Sequence, residues 1–267
     1  MTALFYGLDV VPLGSPDEGT VLNVADEVPV RLRFNGIFPY GTMMMSPDQV
    51  EDFAYGFCLT EGIAGSAEDI RSVVVTQLQD GCDLDVTVSG ACLAALLRRA
   101  PRAQTGHTGC GICGTDEIPA VETPDIPVLP RGDGITVEAI RRGLRDLESR
   151  QVLNAATRMV HAAAWADREG RIELIREDVG RHNALDKLIG ARIRAGQTGS
   201  EGFCLLTSRY SYEMVLKTLR AGMAVVVAVS APTYRAFRLA ERGGQTLIAI
   251  ARRDRQFLFC GGDRISG

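Results

Sequence analysis

The chain has 267 residues, of which 46% are hydrophobic and 23% are charged, and its formal net charge is −4. This length suits two unequal domains, and the mild acidity argues against nucleic acid as the main partner. The longest apolar run, residues 223–229, is too short to cross a bilayer, and the first ten residues lack the basic and apolar regions of a secretory signal. We therefore expect a cytoplasmic protein that binds neither nucleic acid nor a membrane.

The N-terminal part, residues 1–117, has the pattern of a small α+β domain. Alternating apolar residues predict strands over 28–34 and 82–88. Between these strands, Ser46 is predicted to cap a helix whose apolar residues recur along one helical face. The helix is expected to end at residues 61–62.

Four prolines and two glycines interrupt regular structure in residues 118–134, which we interpret as a linker. After it, residues 135–267 alternate between helical and strand-like segments, beginning with a helix that Thr136 caps. This alternation predicts a layered α/β domain with a largely parallel sheet, in which ligands bind where strands end and helices begin. The predicted strands cover 171–175, 203–206, 223–229 and 247–250, and the predicted helices cover 183–195, 211–221 and 233–242.

Three predicted strand-to-helix junctions are rich in polar residues, namely 176–187, 207–213 and 229–233. In a parallel sheet all three open on one edge, where helix N-termini present free N–H groups to an anion. Arg181 and Arg209 could then hold a phosphate through paired hydrogen bonds. The same residues also suit ordinary caps and i,i+4 pairs, so both interpretations stay open. The pairs are His182 with Asp186, Asn183 with Lys187 and Glu213 with Lys217.

Cys110 and Cys113 lie in the glycine-rich segment 105–114, and the odd total of seven cysteines favours reduced thiols. A structural zinc site needs four ligands, so zinc at this pair would need a second chain. A thioredoxin-type dithiol lies at a helix N-terminus, whereas the residues after Cys113 are poor helix formers. The third interpretation is an exposed carrier loop, in which one thiol accepts sulfane sulfur as a persulfide and the other releases it by exchange.

Four motifs stand at 109–114, 176–187, 208–209 and 230–233. Together they resemble the formate dehydrogenase accessory sulfurtransferase (FdhD) family, and the resemblance extends over nearly the whole chain. It implies a sulfur carrier that takes sulfur from a cysteine desulfurase and passes it to the bis-molybdopterin guanine dinucleotide form of the molybdenum cofactor, before that cofactor enters formate dehydrogenase. It also implies an α/β fold with a C-terminal three-layer domain resembling cytidine deaminase, a smaller N-terminal α+β domain, and a homodimer.

The resemblance assigns roles to particular residues. Cys110 matches the persulfide-bearing position, and Cys113 is its partner. The implied cofactor-binding segment consists of Ile248, Ala249, Ile250, Ala251, Arg252 and Arg253, and the junction residues expected to join it are Arg181, His182, Ser208 and Arg209. No metal ligand is predicted. The chain departs from the family at 157–160, where Thr-Arg-Met-Val replaces the Thr-Gly-Gly that many members carry ahead of the histidine matching His161.

Two other hypotheses stay open at this point. In one, the protein binds and hands over the molybdenum cofactor without transferring sulfur, and the cysteine pair is a ligand or a redox sensor. In the other, the cysteine pair forms a zinc site between two subunits. Retained activation of the dehydrogenase in Cys110→Ala would favour the first, and stoichiometric zinc in the purified protein would favour the second.

Overall fold

The computed structural model describes residues 3–15, 18–98, 126–132, 134–197 and 201–267, and it confirms a mixed α/β fold. The N-terminal elements are β1 (Phe5–Val10), β2 (Thr20–Ala25), β3 (Val28–Phe34), β4 (Phe38–Met45), α1 (Val50–Thr60), β5 (Ile70–Leu78), β6 (Gly81–Val88) and α2 (Gly90–Arg98). The elements after residue 126 are β7 (Ile135–Thr136), α3 (Val137–Arg150), α4 (Val152–Thr157), β8 (His161–Ala166), β9 (Ile172–Asp178), α5 (Arg181–Arg194), β10 (Phe203–Leu206), α6 (Tyr212–Arg220), β11 (Val225–Ala228), α7 (Tyr234–Arg242), β12 (Thr246–Ala249), β13 (Phe257–Cys260) and β14 (Ile265–Ser266). The domain boundaries 1–117, 118–134 and 135–267 stay predictions.

The N-terminal part contains a four-stranded sheet in the order β4-β3-β6-β5. The two strands that alternation predicted are its central strands, β3 and β6, which run parallel to each other. Val30, Leu32 and Phe34 of β3 are fully buried, whereas Arg31 and Arg33 lie on the opposite face and bind Asp83 of β6. The alternation of β3 therefore separates the core face of this sheet from its charged face.

Helix α1 packs on this sheet but begins three residues later than predicted. Its N-cap is Gln49, with a left-handed φ of 54°. Ser46 does not cap the helix because its Oγ accepts a hydrogen bond from the Val179 N–H at 3.1 Å, while its own N–H donates to Asp178 and its carbonyl oxygen accepts from Lys187. The predicted end of the helix is confirmed, and Gly62 follows it with a φ of 62°.

The C-terminal part contains a six-stranded sheet in the order β13-β12-β11-β10-β8-β9. Within the described residues of this sheet only the β10–β11 and β11–β12 pairs are parallel, so the sheet is mixed and not largely parallel as predicted. The cause is β8, an alanine-rich strand that the sequence pattern did not identify, together with the β12–β13 hairpin. Because β9 and β10 both run antiparallel to β8, they run in the same direction. Strands β11 and β12 are parallel to β10, so β9, β10, β11 and β12 all end at one edge of the sheet.

Helices cover both faces of the six-stranded sheet and give three layers. Residues of α5, α6 and α7 share one hydrophobic cluster with the sheet, whereas α3 contributes to a separate cluster on the other face. Helix α3 begins as predicted, because the Thr136 hydroxyl accepts a hydrogen bond from the Ala139 N–H at 3.1 Å. This layering agrees with the expected three-layer α/β architecture of the C-terminal part.

Helices α1 and α5 join the two parts of the chain through direct backbone contact. A Cβ atom on Gly56 of α1 would overlap the carbonyl oxygen of Asp186, and one on Gly190 of α5 would overlap that of Asp52. Only glycine allows backbones to approach so closely. The N-terminal sheet is therefore fixed to α5, whose first residues lie at the edge where β9 ends.

Candidate functional site

The ends of β9, β10, β11 and β12 bring the three predicted junctions together. The Thr207 N–H, just after β10, donates to the Ala162 carbonyl at 3.1 Å, and Ala162 pairs with the end of β9. A parallel β-bridge joins the second and third junctions, and the Ile250 N–H donates to the Ser230 carbonyl at 3.1 Å. The junctions share one edge, as expected, although the sheet that carries them is mixed.

The first turn of α5 contributes two buried side-chain nitrogens. Arg181 Nε and His182 Nε2 are both shielded from solvent and have no hydrogen-bond partner among the described residues. The N-cap is Gly180, which has no side chain to accept from the first N–H groups of the helix. An unpaired buried polar atom costs about 1–3 kcal/mol, so each one needs an explanation. Together with the positive end of the helix dipole, these donors suit an anionic ligand.

The start of α6 adds a third such atom, which the sequence analysis did not select. Ser211 is the N-cap of α6, and its Oγ is buried without a partner in the described part of the chain. The available signal was its position as the last polar residue before a helix. The neighbouring Ser208 hydroxyl, by contrast, donates to the Arg209 carbonyl at 3.1 Å, and the Arg209 side chain is exposed.

His161, at the start of β8, is a second residue that the selection of site residues missed. Burial lowers the pKa of its imidazole, the positive charges of Arg181 and Arg209 lower it further, and Asp178 opposes them. The sequence contained one indication of its importance, because His161 directly follows residues 157–160, where the chain differs from many members of the family.

His182 has the larger shift of the two histidines. Burial and the charges of Arg181 and Lys217 lower the pKa of its imidazole from 6.5 to about 4, against the opposing charge of Glu61. Both imidazoles are therefore neutral at neutral pH. The positive charge available to a ligand at this edge comes from the two arginines.

The predicted segment 248–253 contributes mainly through its backbone and its exposed end. The side chains of Ile248 and Ala249 are buried in the hydrophobic clusters on opposite faces of the sheet, and Ala251 is buried as well. Ile250 has a φ of 50°, a conformation that β-branched residues rarely adopt and that costs about 1–2 kcal/mol. Such strain concentrates at functional sites.

The two arginines of this segment, Arg252 and Arg253, are both exposed. Arg253 forms an ion pair with Glu148 of α3, with a distance of 2.5 Å between nitrogen and oxygen. The Arg252 N–H donates to the Arg255 carbonyl in the turn before β13. The structure therefore places the Arg253 side chain toward α3, whereas Ile250 contacts the third junction.

Most charged residues of the first junction hold the fold together. The predicted i,i+4 pairs are wrong for Asp186 and Lys187, because each binds a residue on another element. Asp186 binds Lys217 of α6 at 2.8 Å, and Lys187 binds Asp178 at 2.6 Å. Glu177 accepts from the first N–H groups of α4. Arg181 and His182 are the junction residues that keep an unpartnered nitrogen.

The departure at 157–160 lies at the end of α4. Arg158 is the C-cap of that helix and has a left-handed φ of 57°. Glycine takes this conformation without steric cost, so a glycine at this position in the family has a physical reason. Arg158 retains the turn, and the following Met159 is about half exposed.

Cys110 and Cys113 lie outside the described residues. Burial raises the pKa of four described thiols, those of Cys58, Cys82, Cys204 and Cys260. These thiols are therefore protonated and poor nucleophiles at neutral pH.

Within the described ranges, no group of three or more His, Cys, Asp or Glu residues could hold a metal ion, and no helix is long and apolar enough to cross a membrane.

Comparisons with known proteins agree with the motifs. The sequence model of the FdhD/NarQ family matches residues 25–266. The chain is 46% identical over 230 residues to the Sulfur carrier protein FdhD of Bordetella bronchiseptica, covering 86% of this chain and 82% of that one. It is 47% identical over 230 residues to the Sulfur carrier protein FdhD of Xanthomonas euvesicatoria pv. vesicatoria, covering 86% and 80%. A solved structure of a candidate formate dehydrogenase accessory protein from Desulfotalea psychrophila matches with a TM-score of 0.74 and 26% identity over 98% of both chains. This chain therefore belongs to the FdhD/NarQ family, as its motifs predicted.

Proposed function

We propose that this protein is a sulfur carrier that accepts sulfur from a cysteine desulfurase as a persulfide on Cys110. It then passes the sulfur to the bis-molybdopterin guanine dinucleotide form of the molybdenum cofactor, before that cofactor enters formate dehydrogenase. The relatives that are 46% and 47% identical to this chain are named sulfur carrier proteins, which supports the sulfur-transfer role. We further propose that the protein is a cytoplasmic homodimer.

The observation that carries this proposal is the set of polar atoms at the sheet edge. Arg181 Nε, His182 Nε2 and Ser211 Oγ are buried and unpartnered within the described residues, and Arg209 adds an exposed guanidinium. The cargo carries phosphate groups and nucleobases, whose oxygens and nitrogens can supply the missing partners. Two helix N-termini at this edge also favour a phosphate. These residues therefore fit the proposed cargo.

The proposed chemistry is two thiol exchanges that begin at Cys110. In the first, the Cys110 thiolate attacks the terminal sulfur of the desulfurase persulfide, and the desulfurase leaves as a thiolate. In the second, the Cys113 thiolate attacks the sulfur of Cys110, which forms a Cys110–Cys113 disulfide and releases hydrosulfide for the cargo. A cellular dithiol supplies the two electrons and two protons that return both cysteines to thiols.

The test is to incubate the protein with a cysteine desulfurase and cysteine and to measure its intact mass. We expect a sulfur adduct on the wild type and on Cys92→Ala, a control that removes a half-buried cysteine outside the motif. Cys110→Ala should show no adduct. Cys113→Ala should load normally but release its sulfur more slowly, because the attacking thiol is gone.

A wild-type protein that gains no sulfur would contradict the proposal. If such a protein still bound the molybdenum cofactor and activated formate dehydrogenase, the chaperone hypothesis would replace it. Binding at the sheet edge is measured separately, by titrating guanosine diphosphate into the wild type and into Arg181→Gln. We expect at least about tenfold weaker binding for the variant, since hydrogen bonds to charged groups contribute about 1.5–3 kcal/mol.

A further inference from the structure

The start of α5 is not capped by a side chain of the described residues. Gly180 is the N-cap, and the first hydrogen bond of the helix runs from the Ala184 N–H to the Gly180 carbonyl at 3.0 Å. Within the described part of the chain, no group accepts from the N–H groups of residues 181–183. Helices commonly fill this position with the side chain of Ser, Thr, Asp or Asn. The cap position is therefore open to an external acceptor, which the anionic ligand proposed above can supply.

A carboxylate lies two residues before this open position. Asp178 is completely buried, and a carboxylate that accepted from the free N–H groups of α5 would compete with a phosphate for them. Both of its oxygens are instead engaged elsewhere. Oδ1 accepts from the Gly180 N–H at 2.8 Å and from Asn183 Nδ2 at 3.0 Å. Oδ2 accepts from the Ser46 N–H at 3.1 Å and pairs with Lys187 at 2.6 Å.

Asn183 connects this carboxylate to the N-terminal part of the chain. Its Nδ2 also donates to the carbonyl of Met44, the second-last residue of β4, at 2.9 Å. Asn183 therefore uses both N–H bonds of its amide, one on Asp178 and one on the N-terminal sheet. Because Asn183 lies in the same helical turn as Arg181 and His182, these two hydrogen bonds fix the position of that turn at the sheet edge.

We propose that Asn183 is a positioning residue of the candidate site. Its amide keeps the Asp178 carboxylate from capping α5 and orients the turn that carries Arg181 Nε and His182 Nε2, so that a phosphate takes the place of the cap. The inference rests on the proposed function, because it requires an anionic ligand at this edge. It adds the N-terminal part of the chain to the site, through the Met44 carbonyl.

Gly180 provides an independent way to displace the Asn183 amide. A Cβ atom at position 180 would lie 2.8 Å from Asn183 Nδ2 and 3.3 Å from its Cγ, whereas Asp178 Oδ1 would lie at 3.4 Å, an ordinary contact distance. The φ of Gly180 is −100°, which alanine adopts without strain. Gly180→Ala should therefore move the amide and leave the backbone in place.

The test is the dissociation constant of guanosine diphosphate, measured by calorimetric titration of the full chain. We expect Asn183→Ala and Gly180→Ala each to weaken binding by about tenfold, as for residues that share one hydrogen-bond network. In the double variant, Gly180→Ala should add less than about twofold, because the amide that it displaces is already gone. Losses that multiply in the double variant would overturn the proposal, because they would mean that the two positions act separately.

Asn35→Ala is the matched control. The Asn35 side chain also forms two hydrogen bonds, with the carbonyl and the N–H of Val88, both at 3.1 Å. It precedes β4, whereas Met44 lies near the end of that strand. Urea denaturation measures the stability of every variant, and we expect the control to lose stability without losing affinity.

The outcomes separate this inference from the proposed function. A wild type that binds guanosine diphosphate, with unchanged affinity in Asn183→Ala, would overturn the positioning role alone. An equal loss of affinity in Asn35→Ala would overturn it as well, because general destabilisation would then account for the effect. A wild type that does not bind guanosine diphosphate would overturn the anion site of the proposed function and this inference with it.

Discussion

The buried imidazole of His182 links the candidate site to the pH dependence of folding. In the unfolded chain this group takes up a proton near pH 6.5, whereas in the folded protein it resists protonation until about pH 4. Between these values the unfolded state binds more protons, so the stability contributed by the neutral imidazole is complete above pH 6.5 and declines as pH falls to about 4. The size of this loss is on the order of 3 kcal/mol.

The measurement is the free energy of unfolding in urea at several pH values between 4 and 7.5. We expect His182→Gln to lose much of the decline that the wild type shows below pH 6.5, because the titrating group is gone. His161→Gln should retain the part of the decline that belongs to His182. Parallel curves for the wild type and His182→Gln would show that His182 does not carry this effect.

At the scale of single residues, local capping was predictable and long-range hydrogen bonding was not. Thr136 caps α3 as predicted, because a hydroxyl three residues before a free N–H suffices. Ser46 had the same local signal, but its hydroxyl accepts instead from the N–H of Val179, which lies 133 residues further along the chain. A single sequence contains no record of such partners, so the start of α1 was misplaced.

The contact between α1 and α5 predicts a large penalty for small substitutions. We expect Gly56→Ala and Gly190→Ala each to lower the free energy of unfolding by about 3 kcal/mol or more, because the added methyl meets a backbone carbonyl that cannot rotate away. Chemical denaturation of the purified variants measures the loss. Gly90→Ala on α2 is the control, since nothing lies within 4 Å of the added atom. This control should change stability by less than about 1 kcal/mol. Equal stability of all three variants would contradict the close approach of the two helices.

At the scale of elements, the strongly patterned strands and helices were predicted and the sheet order was not. The strand at 203–206 was predicted at its observed bounds, because a short apolar run between turn residues is a clear signal. Strand β8 was missed because its four alanines fit a helix as well as a strand. Without β8 the sheet appeared parallel. The shared edge was still predicted, because β9 runs in the direction of β10.

At the scale of the whole molecule, one buried ion pair of the C-terminal part also binds the N-terminal part, because both of its members form hydrogen bonds with the backbone of Ser46. Lys187 and Asp178 are completely buried at 2.6 Å, and Asp178 also binds Ser46 of the N-terminal part. We expect Lys187→Met to cost about 3–5 kcal/mol of unfolding free energy, because an unpaired carboxylate stays buried. The control is Arg171→Met, which breaks a pair with Asp167 that has the same 2.6 Å distance but is partly exposed. This control should cost about 1 kcal/mol or less.

Denaturation by heat or urea, measured for both variants, distinguishes the buried ion pair of Lys187 from the partly exposed ion pair of Arg171. Similar losses in both variants would mean that burial does not set the contribution of these charges. A large loss confined to Lys187→Met would show that burial sets the contribution of the Lys187–Asp178 pair to stability. Asp178 also accepts a hydrogen bond from the N–H of Gly180, so it also fixes the start of α5 at the candidate site.

For the whole site, sequence reasoning brought the right segments together but could not assign each residue its role. The junctions that carry Arg181, His182 and Arg209 lie at one edge, as the junction pattern predicted, whereas the side chains of Ile248 and Ala249 are buried in the core. Which polar residues remain unpartnered depends on contacts between distant elements. The roles of Cys110 and Cys113 stay predictions, because both lie outside the described residues.

The polar contacts of α1 also bear on the order in which the chain folds during synthesis. Asp52 of α1 binds Arg176 and Arg194, which follow it by 124 and 142 residues. When the N-terminal sheet leaves the ribosome, the partners of its helix have not yet been made. The N-terminal part therefore completes its structure only after α5 has emerged, and a fragment that ends at residue 98 lacks one of the two surfaces against which α1 packs.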